Sequence, residues 1–335
     1  MALWLEIPHR RQDGMCPVNG IRDLVQWRSG ENWSNEFLWG LGQGGGFTYL
    51  RINVADPPRQ MYTGNATPRQ HRYLAELFGA EFAEVENRAF PFAWARAQEA
   101  LAREKPPILG PLDMFHLPYY AGIYHQRHIP IHFALLVGYD GATAYVQDTG
   151  FEAVQPIPLA ELRLAWNVSV PGLGKRNRLA ILDLPAALPP TAELIRKAVM
   201  DQCQSMLRPP VSLIGIPAMK KLAAEIAGWP EELGEARAEK CLRQVREYLN
   251  SPPDAEGSHL TAGRDRYIAF LQEAQPISGL DFSRAVEWLC QSMEAVPGVA
   301  AAIQHKDLNQ AAAGFARMAN FETNAFQELS RCCGE

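Results

Sequence analysis

The sequence predicts an α+β protein, with an antiparallel sheet in its first part and an all-helical second part. Three observations carry this expectation. The apolar run 133–139 is followed by Asp140-Gly141 and then by a returning strand at Thr143–Gln147, the pattern of a β-hairpin. A proline-rich stretch, Leu184-Pro185 and Leu188-Pro189-Pro190, interrupts the chain. Beyond it, Ala/Leu/Glu-rich segments with a 3.6-residue period continue to residue 329. The expected division is therefore a domain at 1–188 and a helical domain at 189–335.

Composition bounds the function classes. A chain of 335 residues, 47% hydrophobic and 21% charged, has the make-up of a soluble globular protein large enough for two domains. The net charge of −5, the pI of about 6.0 and the lack of a basic run argue against nucleic acid as the main ligand. No apolar stretch approaches the ~18 residues of a membrane span. The opening MALWLEIPHRRQDG loses its hydrophobic run at Glu6 and has no signal-peptide core, so a cytoplasmic location is expected.

Cys16 precedes Pro17, and Ile21, Leu24, Val25 and Arg28 continue at helical spacing. Proline is favoured at the first helical position, which makes Cys16 the expected cap. A thiol there faces the positive end of the helix dipole, and this favours the thiolate. Most lone cysteines are small buried hydrophobes. What tips the balance is His132 at the entry of the hairpin and Asp148 at its exit, since antiparallel pairing brings them to one end of the sheet as a base and its orienting group. The other cysteines are scattered without a CxxC pair, against a zinc site or a disulfide framework; Cys332-Cys333 is expected in a frayed terminus.

Residues 33–39 read as a second helix or turn containing Glu36, a candidate near the site although an exposed helical carboxylate is the commoner case. The glycine run 40–46 leads into a strand at 47–52. It lacks the GKS/GKT or GxGxxG pattern of a phosphate loop, and Gly44 and Gly45 are read instead as close backbone approach to a substrate or a neighbouring strand. Helices are expected at 69–78 and 93–103, and strands at 83–85 and 108–109. DMFHLPYYAGIYHQRHIPIH then supplies His116, His125, His128 and His132. These spacings do not set two ligands on one helix face as HExxH does, and no Cys or Glu is expected to complete a set, so no metal is expected. Tyr119, Tyr120 and His125 read as the wall of a substrate cleft. After a strand, a short helix and a last strand at 180–182, the helical part is expected at 192–206, 217–228, 231–249, 260–274, 282–293, 299–304 and 308–329. Trp229, Phe270, Trp288 and Phe315 are expected in its core.

With Cys16, LGQGGGFTYL, DMFHLPYY and HFALLVGYDGATAYVQD in hand, the chain resembles the butirosin biosynthesis protein H family over roughly residues 5–190. RPPVSLIGIPAMKKLAAEI and GRDRYIAFLQEA resemble that family's helical second domain. The hairpin pattern is also similar to that of bacteriocin-processing cysteine peptidases. The resemblance implies a papain-like cysteine-peptidase fold, with Cys16 as nucleophile, His132 as base and Asp148 as orienter. It implies acyl transfer from a carrier-protein thioester, on a phosphopantetheine arm and with no cofactor of the protein's own, to a small amine acceptor in natural-product biosynthesis. The sequence departs from the papain pattern twice. Arg10 stands six residues before the cysteine, where the oxyanion glutamine belongs, leaving Gln12 and the Cys16 N–H as oxyanion candidates; and Asp148 stands where papain has Asn. A peptidase or amide hydrolase using the same residues, and a catalytically silent binding protein, are the rival readings. The helical part is the candidate surface for a homo-oligomer.

Overall fold

Phe133, Ala134, Leu135, Leu136 and Val137 are all buried, so the strand they form lies at the centre of a sheet covered on both faces. The computed structural model describes residues 2–12, 14–250 and 260–334. In chain order these form β1 (Leu3–Trp4), α1 (Cys16–Ser29), α2 (Asn35–Leu41), β2 (Phe47–Arg51), β3 (Arg59–Thr63), α3 (Thr67–Phe78), β4 (Glu81–Val85), α4 (Phe90–Ala102), β5 (Ile108–Leu112), β6 (His132–Tyr139), β7 (Thr143–Gln147), β8 (Gln155–Pro158), α5 (Leu159–Ala165) and β9 (Leu179–Asp183). Then come α6 (Thr191–Leu207), α7 (Gly215–Glu225), α8 (Trp229–Leu233), α9 (Glu235–Leu249), α10 (Arg264–Ser278), α11 (Ser283–Gln304) and α12 (Leu308–Cys332).

The chain divides into two units, Met1–Leu38 with Ala66–Pro189, and Trp39–Asn65 with Pro190–Glu335. The second division point coincides with the proline-rich stretch. The expected split at 188/189 needs one correction: the segment Trp39–Asn65, with strands β2 and β3, groups with the C-terminal helices. The second unit is accordingly helical with a two-stranded hairpin.

In the first unit, seven strands among the described residues form one antiparallel sheet in the order β4-β9-β5-β6-β7-β8, with β1 added on β6. Trp94 and Leu101 of α4 and Leu162 and Ala165 of α5 pack with Leu109, Leu136 and Val146 on one face. Strand alternation turns Ile108 and Leu135 to the opposite face. There α1 comes so close that a Cβ on Gly20 would lie 3.0 Å from Ile108 Cγ1 and 3.3 Å from Leu135 Cβ. A mid-helix glycine costs about 1 kcal/mol relative to alanine. Here it lets the helix that begins at Cys16 rest directly on the central strand.

The hairpin forms where expected, by a different turn. Neither Asp140 nor Gly141 takes a left-handed φ. Instead the Asp140 carboxylate accepts from the backbone N–H groups of Ala142 and Thr143, both at 2.9 Å, and from the Tyr145 hydroxyl at 2.8 Å. Side-chain capping of this kind replaces the backbone geometry of a two-residue turn.

In the second unit the Gln244 amide accepts from Met61 N at 2.8 Å and donates to Met61 O at 2.7 Å, satisfying one edge of β3. Tyr49 N donates to Leu213 O at 2.9 Å. Arg264, Glu322 and Ser292, all buried, form a hydrogen-bonded group. Gly314 of α12 packs against Val299 of α11 so tightly that a Cβ would meet it at 2.4 Å. Pro276 and Pro297, which fall in the gaps between the expected helices 260–274, 282–293 and 299–304, lie inside α10 and α11. The expected helix at 231–249 is divided at Gly234 instead. Trp229, Phe270 and Phe315 are core residues, whereas Trp288 is half-exposed and stacks on Phe321. The terminus is not frayed at Cys332-Cys333: α12 runs through Cys332, and Cys333 is buried with its carbonyl accepting from Arg196.

Gly20→Val inserts two methyl groups and a branched Cβ between α1 and the sheet. It is expected to lower stability by about 1–3 kcal/mol, read as a reduced urea midpoint at unchanged slope.

Candidate active site

Cys16 is the first residue of α1, one position later in the helix than expected, because Met15 is the cap residue. Gly14 and Met15 are both left-handed, with φ of 76° and 55°. For methionine this conformation costs about 1–3 kcal/mol, and such strain persists where surrounding structure fixes it. It aims the Cys16 side chain while Pro17, lacking an N–H, leaves the first turn with few donors besides Cys16 itself. The half-buried thiol points at the Ile131 carbonyl, with Sγ to O at 3.8 Å.

Continuing the register Leu135↔Gln147 by one residue sets Asp148 opposite Ala134, the same-face neighbour of His132. The two side chains therefore meet, with His132 Nε2 2.6 Å from Asp148 Oδ2. The Cys16 sulfur is near enough to the same imidazole to raise its affinity for a proton. Since Nε2 is engaged by Asp148, Nδ1 is the nitrogen left for sulfur. The structure thus brings Cys16, His132 and Asp148 together from α1, β6 and the end of β7.

The electrostatics follow from this packing. Burial alone pushes His132 toward its neutral form, but the Asp148 charge, the Cys16 sulfur and the hydrogen bond that His132 donates to Asp148 outweigh it, holding the imidazole well above its ordinary value. Burial likewise works against the Asp148 charge. The His132 charge and the hydrogen bonds from His132, Tyr119 and Tyr120 overcome it and keep the carboxyl below its usual range. Tyr119 donates to Oδ2 at 2.8 Å and Tyr120 to Oδ1 at 2.9 Å. Burial, reinforced by the Asp148 charge, pushes both phenols up, so they remain donors. These tyrosines, expected in a cleft wall, hold the carboxylate; the Tyr120 ring also sits edge-on to His132.

Gln12 and Glu36 meet as well. The Gln12 carbonyl accepts from Arg22 Nη1 at 3.1 Å and from Asn35 N at 3.2 Å, which turns its amide nitrogen toward Glu36 Oε2 at 2.5 Å. Arg10 is directed elsewhere, donating to Asn32 and to the Trp33 carbonyl. Gly44 and Gly45 belong to the second unit, where added Cβ atoms would strike the rings of Trp39 at 2.2 Å and Tyr267 at 3.0 Å. Their smallness is accounted for by that packing. His125 stacks on Tyr124 and faces Glu161, with Nε2 to Oε2 at 3.6 Å. His116, His125 and Glu161 form a group able to hold a metal ion, so a glutamate distant in sequence completes the set that spacing alone had lacked.

Arg22, Asp23 and His9 are among the residues that escaped the sequence reading. The buried Arg22 and Asp23 pair within one helical turn. His9 Nδ1 meets Asp23 Oδ2 at 2.7 Å while its Nε2 reaches the carbonyls of Asp148 and Phe151 at 3.2 and 2.8 Å. Burial lowers the His9 affinity for a proton, yet the Asp23 bond and charge raise it overall. An Arg-Asp pair among the mostly apolar residues 18–25 of α1 was the available signal.

Sheet, site residues and helical region define an α+β protein with an antiparallel sheet, a Cys-His-Asp cluster where α1 meets that sheet, and a helical C-terminal part. The chain belongs to the butirosin biosynthesis protein H-like family: the model described as butirosin biosynthesis protein H, N-terminal, matches residues 15–149, and a domain of unknown function (DUF4872) matches residues 160–329. No curated protein matches the chain. No described helix is long and apolar enough to cross a membrane.

One buried histidine supports the nucleophile from below. His71 Nε2 donates to the Pro17 carbonyl at 2.6 Å, and Arg178 lies 3.4 Å from Nδ1. Burial, then the Arg178 charge, lowers its pKa to about 3, partly offset by the bond to Pro17. Because the folded value lies below the unfolded 6.5, this stability is fully present above pH 6.5 and drains away as pH falls toward 3. The stability difference between wild type and His71→Gln should therefore shrink by about 2 kcal/mol from pH 7 to pH 5, measured by urea unfolding at each pH.

Proposed function

We propose that this protein is a papain-like, cysteine-dependent acyltransferase of natural-product biosynthesis. It would carry an acyl group from a carrier-protein thioester, or a similar acyl-thioester donor, to a small amine. The observation that carries the reading is the 2.6 Å bond between His132 and the buried Asp148, with the Cys16 sulfur coupled electrostatically to the same imidazole and set 3.8 Å from the carbonyl of the neighbouring Ile131. Membership in a family named for butirosin biosynthesis agrees with it.

In the first step the Cys16 thiolate attacks the thioester carbonyl. The new S–C bond forms, the donor C–S bond breaks, and the departing thiol takes the proton held by His132. Exchanging one thioester for another is nearly neutral in free energy, so the acyl-enzyme accumulates until an acceptor arrives. In the second step His132 takes a proton from the amine as its nitrogen attacks, and Cys16 leaves as the thiolate beside the imidazolium. Asp148, held by two tyrosines, fixes the imidazole orientation and stabilises its charged form. The Cys16 N–H and the second N–H of the Gln12 amide are the oxyanion donors of this scheme; the Gln12 oxygen is tied back by Arg22 and Asn35, and its first N–H is given to Glu36. A single donor of this kind contributes about 3 kcal/mol.

Mixing the protein with an acyl-phosphopantetheinyl thioester and following intact mass should give a single acyl adduct on Cys16, released as an amide by added amine. Cys16→Ser should give neither adduct nor turnover while keeping its unfolding midpoint. Release by water at the same rate, with or without amine, would make the protein a hydrolase, and turnover by Cys16→Ser would remove the covalent scheme.

A further inference from the structure

The segment between β5 and β6 folds back on itself around one buried acid. Asp113 accepts from Phe115 N and Ile129 N through Oδ1 and from His128 Nδ1 through Oδ2, and His125 N donates to the Phe115 carbonyl at 2.9 Å. This closure brings His116 and His125, nine positions apart, to the same carboxylate oxygen on α5. His116 Nδ1 lies 3.0 Å and His125 Nε2 3.6 Å from Glu161 Oε2, and the three atoms all lie within 4.8 Å of one another.

The first spacing is a hydrogen bond, but 3.6 Å is too long for one. Donors about 2.0–2.1 Å from a tetrahedral ion are about 3.3 Å apart, so both spacings are those of ligands around a small cation. The donor types, two imidazoles and a carboxylate, are the ones divalent zinc takes, and they are unsuited to calcium or magnesium. Each ligand is held by something other than its fellow ligands. The His125 backbone is left-handed at φ 53° and its ring stacks on Tyr124 at 3.9 Å. The His116 ring packs edge-on to Phe115, and Tyr124, stacked on His125, lies close to the Glu161 carboxylate. Outer contacts of this sort orient metal ligands and raise their affinity. The His125 side chain is 50% exposed, against 18% and 21% for the other two, so the fourth coordination position opens to solvent on its side.

We propose that His116 Nδ1, His125 Nε2 and Glu161 Oε2 bind a divalent transition-metal ion of the zinc type, with water as fourth ligand, clamping the segment that carries Tyr119 and Tyr120 onto α5. The ion performs no acyl chemistry and the site stands whether or not the acyltransferase reading does. It closes a loop of which Tyr119 and Tyr120 form the middle, and so acts on the positioning of the Asp148 carboxylate.

The test is calorimetric titration of the full chain with Zn²⁺, alongside Co²⁺ titration followed by absorption. The expected result is one site whose affinity falls at least tenfold in both His125→Asn and Glu161→Gln, and is unchanged in Cys16→Ser. Bound Co²⁺ should give visible bands without the near-ultraviolet thiolate charge transfer of a cysteine site. Saturating Zn²⁺ should raise the wild-type unfolding midpoint by roughly 2–4 °C and leave that of Glu161→Gln, which retains the side-chain shape, unmoved. No binding at 0.1 mM Zn²⁺, equal affinity in the variants, or a thiolate band would each overturn the proposal.

Discussion

A carboxylate sealed from water is tolerable only when its charge and lone pairs are met by protein groups, and Asp148 imposes that demand on the whole first unit. Its donors come from separate pieces of chain: His132 from the start of β6, Tyr119 and Tyr120 from the segment before it, and Thr149 Oγ1 at 3.2 Å. Each must be in place at once, since losing one leaves a buried anion underserved. The hairpin supplies the rigid frame, the Asp113-anchored segment supplies the phenols, and the imidazole carries the compensating charge outward to the sulfur.

The same logic governs the approach of α1. Cys16 is useful only if its helix stays at the level of the central strands, and that height is set by Gly20 against Ile108 and Leu135. Its rotation is set by the left-handed Gly14-Met15 step and by the hydrogen bond from His71 to the Pro17 carbonyl. The second unit solves its own buried-charge problem with Arg264 and Glu322, joined by two 2.8 Å bonds. A bidentate guanidinium-carboxylate pair holds α10 to α12 where a purely apolar seam would allow sliding.

Much of this was legible in the residues themselves. The apolar run, the Asp-Gly turn signal and the following polar strand located β6 and β7, and with them the meeting of His132 and Asp148. Pro17 marked the start of α1 to within one residue. What escaped depends on tertiary partners. Pro276 and Pro297 break a helix by local rules, yet the packed faces on both sides of each carry the helix through. Tyr119 and Tyr120 look like cleft aromatics because nothing local announces that their hydroxyls point inward to a carboxylate 28 or 29 residues away. Glu161 is 45 residues from His116, and the two meet only once the chain has folded. Strand β3 lies in a stretch of mixed pattern because its edge is completed by Gln244, a side chain from a helix.

The excursion of Trp39–Asn65 into the second unit makes the first one discontinuous along the polypeptide. During synthesis, Tyr49 and Met61, both fully enclosed in the finished protein, emerge long before α7 and α9 exist to cover them. A fragment cut at the proline-rich stretch would keep that hairpin permanently unsheltered, with bare strand edges prone to self-association. Dissecting the two halves therefore calls for removing the excursion and bridging Leu38 to Ala66, rather than truncating at residue 188.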